Sequence, residues 1–279
     1  MDNRPIGIFD SGMGGLSVLH QAMKSLPNES YLYYADTDNV PYGLKTNEQI
    51  KEYVNSAVDF MLEKQVKAIV IACNTATSID IEDLRKNYIL PIVGIEPAVK
   101  PAIRINKEKR IMIIATPVTV REKKLQRLLE EVDINNKVDL VALPGLVKFA
   151  EREEFDTIDV ENYLKEELRE FDLSNYSEIV LGCTHFNYFK PILRKVFPEH
   201  IRLLDGNKGT INRLSNLLRE NDLLGNKEKL EVEYYFSGRK VEDEEMLNNR
   251  CSMTSITKRT ILEKVHKTIT MVISKFKKT

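Results

Sequence analysis

The chain has 279 residues, with 41 basic against 42 acidic side chains, a net charge of −1 and 42% hydrophobic residues. That balance gives no electrostatic footprint of a nucleic-acid binder. The composition is that of a folded globular protein, and no apolar run reaches membrane-spanning length.

The first ten residues lack a basic segment followed by a long apolar one, so a soluble, cytoplasmic chain is expected. Ile6-Gly7-Ile8-Phe9 reads as a strand, Asp10 to Gly15 as a glycine-rich turn, and Leu16, Leu19, Ala22, Met23 and Leu26 as the apolar stripe of a helix ended by Pro27-Asn28. Residues 31–35 form a second strand. The Thr46-x-x-Gln49 capping box opens a helix that carries Ile50, Tyr53, Val54, Ala57 and Met61 inward. Residues 69–71 are a third strand, ending on Ala72-Cys73, followed by a helix over 78–88 and a strand over 91–95. Glu96-Pro97-Ala98 then reads as a crossover.

A second series starts with a strand over 110–115 and a helix from about Thr119 to Val132. It continues with a strand over 138–143, a helix over 160–171, a strand over 179–181 that leads into Gly182-Cys183, and a strand over 201–204 before Asp205-Gly206. There the chain returns to the first domain. The domains are thus read as 1–96 plus 208–279, and 97–207. Val232, Tyr234 and Phe236 alternate as one strand face, and 256–276 reads as a closing helix. The alternation of strands and helices gives an α/β fold with parallel sheets covered by helices. Both series present strand, turn and helix, then an apolar strand with its cysteine, a weak internal repeat.

Cys73, Cys183 and Cys251 are too few and too scattered for a disulfide framework or a paired-ligand zinc site, so reduced thiols are expected and no metal site is assigned. Cys251 lies in a polar stretch and receives no role. Cys73 and Cys183 each end a buried parallel strand, where open sheets bind ligands. Because they belong to different βα units, they meet only by facing each other across a cleft, an arrangement suited to two-base proton chemistry. A buried cysteine is as often inert core. A helix N-terminus next in the chain tips the balance, since its amides favour thiolate.

Asp10 follows the first strand into the same cleft, either as a proton-relay partner of Cys73 or as an N-cap. Gly12-Met13-Gly14-Gly15 fits neither a dinucleotide fingerprint nor a P-loop, but lets backbone approach a ligand closely. His185, two residues past Cys183, is a relay or orienting partner for that thiol. Asn74, Thr75 and Thr184 are short donors beside the thiols, or helix caps. Tyr42-Gly43 alone is a turn signal.

Together these segments resemble glutamate racemase. The resemblance is carried by Gly7-Ile8-Phe9-Asp10-Ser11-Gly12-Met13-Gly14-Gly15-Leu16, residues 36–43, Ala72-Cys73-Asn74-Thr75-Ala76-Thr77, Gly94-Ile95-Glu96-Pro97-Ala98, and Leu181-Gly182-Cys183-Thr184-His185-Phe186. It implies two similar doubly wound parallel-sheet lobes with the active site in the cleft between them. It also implies Cys73 and Cys183 as the acid/base pair, assisted by Asp10, His185 and Glu151, and substrate contacts from Asp10, Ser11, Tyr42, Gly43, Asn74, Thr75, Thr184 and His185. It further implies glutamate as the small-molecule partner, no cofactor, an allowed homodimer, and a supply of D-glutamate for peptidoglycan. Phe236-Ser237-Gly238-Arg239 departs from the family's late Thr-Gly-Asp element. Three other readings share features of the chain: an aspartate racemase, a Cys/His hydrolase that uses one thiol as nucleophile, and a two-lobe amino-acid-binding protein.

Overall fold

A computed structural model describes residues 1–105 and 108–241. Cys251 and the helix expected over 256–276 lie outside the described residues.

Among the described residues, six strands form the first sheet: β1 (Ile6–Asp10), β2 (Tyr31–Ala35), β3 (Ala68–Ile71), β4 (Ile92–Gly94), β9 (Val232–Phe236) and β10 (Arg239–Lys240). Four form the second: β5 (Arg110–Ala115), β6 (Val138–Ala142), β7 (Tyr176–Gly182) and β8 (Arg202–Asp205). All pairings are parallel except that of β10 with β9. The orders are β10-β9-β2-β1-β3-β4 and β6-β5-β7-β8. The core of the first sheet, β2-β1-β3-β4, therefore has the same connectivity as the whole second sheet. The weak repeat read in the sequence has a counterpart in topology.

Helices cover both faces of each sheet, which is why the central strands β1, β3 and β5 are apolar along most of their length. In the first, Ile6 and Ile8 pack on α1 (Leu16–Ser25) and α10 (Asn207–Glu220). Phe9 packs on the other side with α2 (Asn47–Glu63) and α3 (Asn74–Asn87). In the second, Met112, Ile114 and Leu181 face α7 (Pro144–Glu151), α8 (Ile158–Glu167) and α9 (Lys190–Val196). Ile111, Ile113 and Val180 face α4 (Val99–Ile105) and α6 (Lys123–Val132).

Two local readings change. Helix α3 begins at Asn74, not Ser78, because Cys73 itself is the N-cap, its sulfur accepting the Ala76 N–H at 3.5 Å. The helix expected over 119–132 is two: α5 (Pro117–Arg121) and α6, broken at Glu122, whose ψ of 136° is extended. The capping box at Thr46 and Gln49 is formed in both directions. After α10 the chain adds β9 beside β2. That return is tied at the far end of the sheet by Glu29, which accepts Gly225 N–H at 2.8 Å and pairs with buried Lys67 at 2.5 Å.

Candidate active site

In each sheet the connections diverge at one place: from β1 the chain goes to β2 on one side and then crosses to β3 on the other, and β5, β6 and β7 do the same. Such switch points leave a crevice at the carboxyl ends of the strands, where α/β proteins bind ligands. Asp10, Ser11 and Cys73 sit at the first crevice, and Thr116 and Cys183 at the second. The crevices face each other. Between them lies a cavity of about 10 Å³ lined by Ser11, Tyr42, Asn74, Thr75, Thr116 and Val147 with both thiols, and by Gly43, Thr184 and His185. That is room for about one water molecule, so a larger ligand requires the cleft to open.

Both thiols are buried and free of disulfides. Cys73 Sγ lies 3.5 Å from Ser11 Oγ and 3.5 Å from the Ala76 amide at the start of α3. Those two contacts favour thiolate, but burial, reinforced by the negative charge of Asp10, outweighs them and pushes the thiol up to about 12. At neutral pH Cys73 rests as a thiol. Labelling of Cys73 by a small alkylating reagent, read site by site by mass spectrometry, is therefore expected to be negligible near about pH 7 and to climb through about pH 10 and above. A plateau reached below the ordinary thiol range would contradict this assignment.

Cys183 has a different partner. His185 Nδ1 lies 3.8 Å from its sulfur, and His185 Nε2 lies 2.6 Å from Glu151 Oε1. Burial draws the imidazole down, yet hydrogen bonds and charge from Cys183 and Glu151 overcome it and raise it well above the ordinary histidine range. His185 is thus protonated at neutral pH. Glu151 reaches this pair from the last turn of α7.

Asp10 does not contact the cavity. Its carboxylate accepts Gly12 N–H at 2.9 Å and the Thr184 hydroxyl at 3.0 Å, joining the two lobes. Complete burial raises its carboxyl, against His185 and those two donors. It caps no helix, since Gly15 is the N-cap of α1 and receives no side-chain bond. The glycine run approaches the opposite lobe: a Cβ on Gly12 would lie 2.4 Å from Glu151 Oε1, and one on Gly14 2.4 Å from Thr184 Oγ1. Tyr188 donates to Met13 O across the same seam.

Thr75 meets Thr116 at 2.9 Å and Thr119 at 3.3 Å, a second hydroxyl bridge between lobes. Gly43 abuts Thr116, where a Cβ would come within 2.9 Å of Thr116 Cβ. Thr116 and Val147 were not singled out from the sequence. Thr116 is the N-cap of α5, and a threonine before proline looks like a cap and nothing more. No group of three or more metal-ligating side chains occurs among the described residues, and no helix among them is long and apolar enough to cross a membrane.

Two α/β lobes that each bring a thiol to one shared crevice define a protein of the amino-acid racemase type. A sequence model of the Asp/Glu/Hydantoin racemase family matches residues 16–214. A glutamate racemase of Lachnospira eligens is 52% identical over 244 residues, covering 86% of this chain and 92% of its own. The crystal structure of a glutamate racemase isoform from Bacillus anthracis superposes with a TM-score of 0.77 at 29% identity, over 84% of this chain and 88% of its own. That of a Francisella tularensis glutamate racemase in complex with D-glutamate gives 0.74 at 30% identity, over 85% and 89%. The chain belongs to the Asp/Glu racemase family, among the glutamate racemases.

Proposed function

We propose that this chain interconverts L- and D-glutamate without a cofactor, in the cytoplasm, supplying D-glutamate for peptidoglycan, and that Cys73 and Cys183 are the acid and base. The observation that carries the mechanism is the pair of buried thiols at equivalent strand ends lining one cavity.

With the substrate Cα between the sulfurs, one thiolate takes the α-proton and the thiol opposite delivers its own proton to the other face. The proton ledger closes, because one S–H forms as the other is lost. Reversing the two roles reverses the reaction. The resting charges favour a first assignment. Cys73 holds its proton as the acid, and protonated His185, backed by Glu151, stands 3.8 Å from the Cys183 sulfur, placed to offset negative charge there when that sulfur acts as the base.

The α-proton is weakly acidic, so the carbanion-like transition state needs fixed donors in a place with little water. We assign the α-carboxylate to the first-turn amides of α3, at Asn74 and Thr75, with the Ser11 and Thr184 hydroxyls beside it. Asn74 Oδ1 is buried without a hydrogen-bond partner and is suited to accept from the substrate ammonium. Tyr42, Gly43 and Thr116 then close on the side-chain end.

Admission of glutamate requires the lobes to part. We place the hinge at Glu96-Pro97-Ala98 and Asp205-Gly206, where a Cβ on Gly206 would lie 2.3 Å from Glu96 O. The two crossovers touch backbone to backbone and can turn together.

The test is incubation of the protein with L-glutamate, D-glutamate or L-aspartate in deuterated water without added cofactor, following optical rotation and the α-proton signal. Loss of both signals with either glutamate, and not with aspartate, is expected. Turnover of aspartate alone would move the substrate, and no exchange with any of the three would sink the racemase reading.

A further inference from the structure

The loop over residues 36–44 carries Tyr42 and Gly43 to the cavity, and it is held both by its own residues and by the turn between the edge strands β9 and β10 of the same sheet. Asp36, buried at the end of β2, accepts the Tyr42 hydroxyl at 2.6 Å and both carboxylate oxygens receive the Asn39 amide at 3.0 Å. Its remaining partner comes from 201 positions away: the Ser237 hydroxyl donates to Asp36 Oδ1 at 3.0 Å and accepts the Asp38 N–H at 3.0 Å. Arg239 grips the Asp38 carboxylate with two hydrogen bonds, at 2.6 and 2.8 Å.

Ser237 reaches this place because β9 lies parallel to β2 in register, Ala35 opposite Phe236, so both strands end side by side. The turn to β10 follows at once, and Ser237 stands there at φ 42°, in the left-handed region that a serine occupies only at a cost. Its backbone N–H is bonded to Ala35 O at 2.8 Å. The hydroxyl is therefore held where it can serve Asp36 and Asp38 at once.

We propose that Ser237, supported by Arg239, is a positioning residue for the racemisation. Through Asp36 and Asp38 it fixes the 36–44 loop so that Tyr42 and Gly43 meet the substrate and close against Thr116. The inference rests on the functional reading above and gives the late, divergent Phe236-Ser237-Gly238-Arg239 segment a role in catalysis without contact with the reacting atoms. A loop that touches substrate equally in ground and transition states affects KM before kcat.

The experiment is steady-state kinetics with both enantiomers, beside thermal melting, on the wild type and on Ser237→Gly, Ser237→Ala and Ser237→Asn. Glycine removes the hydroxyl but relieves the left-handed backbone, so the Ser237→Gly protein should melt no lower than wild type. Its KM is expected to rise about tenfold for both enantiomers with kcat within about twofold, as is that of Ser237→Ala. Asparagine tolerates positive φ and offers both a donor and an acceptor, so Ser237→Asn should restore KM to within about threefold of wild type. An unmoved KM in Ser237→Gly, or a KM that rises only where the melting temperature falls, would overturn the inference alone. A wild-type chain that racemises neither enantiomer would overturn the functional reading and this inference with it.

Discussion

Replacing Cys73 by alanine is expected to abolish racemisation, by about a thousandfold or more, and replacing Cys183 is expected to do the same. Each variant keeps one sulfur on one face of the substrate. It can therefore still take the α-proton from the enantiomer presented to that face, but nothing stands opposite to complete the inversion. A glutamate analogue with a leaving group on Cβ reports this remaining step. The α-proton passes to sulfur, its electron pair forms the Cα–Cβ double bond, and the leaving group departs with its own pair. The Cys73→Ala and Cys183→Ala proteins should eliminate from opposite enantiomers, each from one only. Solvent exchange is the weaker reporter, because a cavity of about 10 Å³ lets a lone thiol hand back the proton it took. Near wild-type racemisation by either variant would refute a two-thiol mechanism.

The second large effect concerns a residue with no chemistry of its own. Gly14→Ala is expected to lower kcat/KM about a hundredfold, the scale set by displacing catalytic groups by about 1 Å. A Cβ there would sit 2.4 Å from Thr184 Oγ1, 2.7 Å from the His185 backbone nitrogen and 2.8 Å from His185 Nδ1. The His185 backbone nitrogen cannot swing aside without moving the strand end that carries Cys183, and the two side-chain atoms can do so only by leaving their places in the site. The backbone of Gly14 is not left-handed, so alanine suits it and only the approach of the second lobe objects. Gly209→Ala is the control. A Cβ there meets nothing within 4 Å, and Gly209 lies within α10, so activity should be retained and stability should rise by about 1 kcal/mol. Comparison of kcat/KM and urea midpoints for the two variants decides the matter, and full activity in Gly14→Ala would show that the lobes need not approach this closely.

The sheets were legible because burial on both faces writes a continuous apolar run, as in Ile69-Val70-Ile71 and Ile179-Val180-Leu181. The box at Thr46 and Gln49 was legible because both halves of a capping box are local. The start of α3 was misread since cysteine is not among the usual capping side chains, and its sulfur does that work here. The break at Glu122 left no signal, there being no proline or glycine at the kink. The thiols, His185 and the short donors beside them could be picked out one by one as strand-end residues. What they touch could not. Asp10, expected near Cys73, raises that thiol by its charge, but its bond to Thr184 in the other lobe left no trace in the sequence, and Thr116 and Val147 reach the cavity only once the lobes pack. Contacts between residues 174 or 201 positions apart leave no periodicity for a sequence to show.

The two sulfurs stand in unlike surroundings, a hydroxyl and a helix amide on one side, an imidazolium and a carboxylate on the other. Mirror-image amino acids have equal free energies in water, so the equilibrium constant between them is one. The ratio of kcat/KM for the forward and backward directions is then one as well, however unequal the sulfurs are. The inequality has a single outlet: the enantiomer with the larger kcat must carry the larger KM, in the same proportion. It also follows that the two kcat/KM profiles against pH must superimpose at every point, while the separate kcat profiles are free to part.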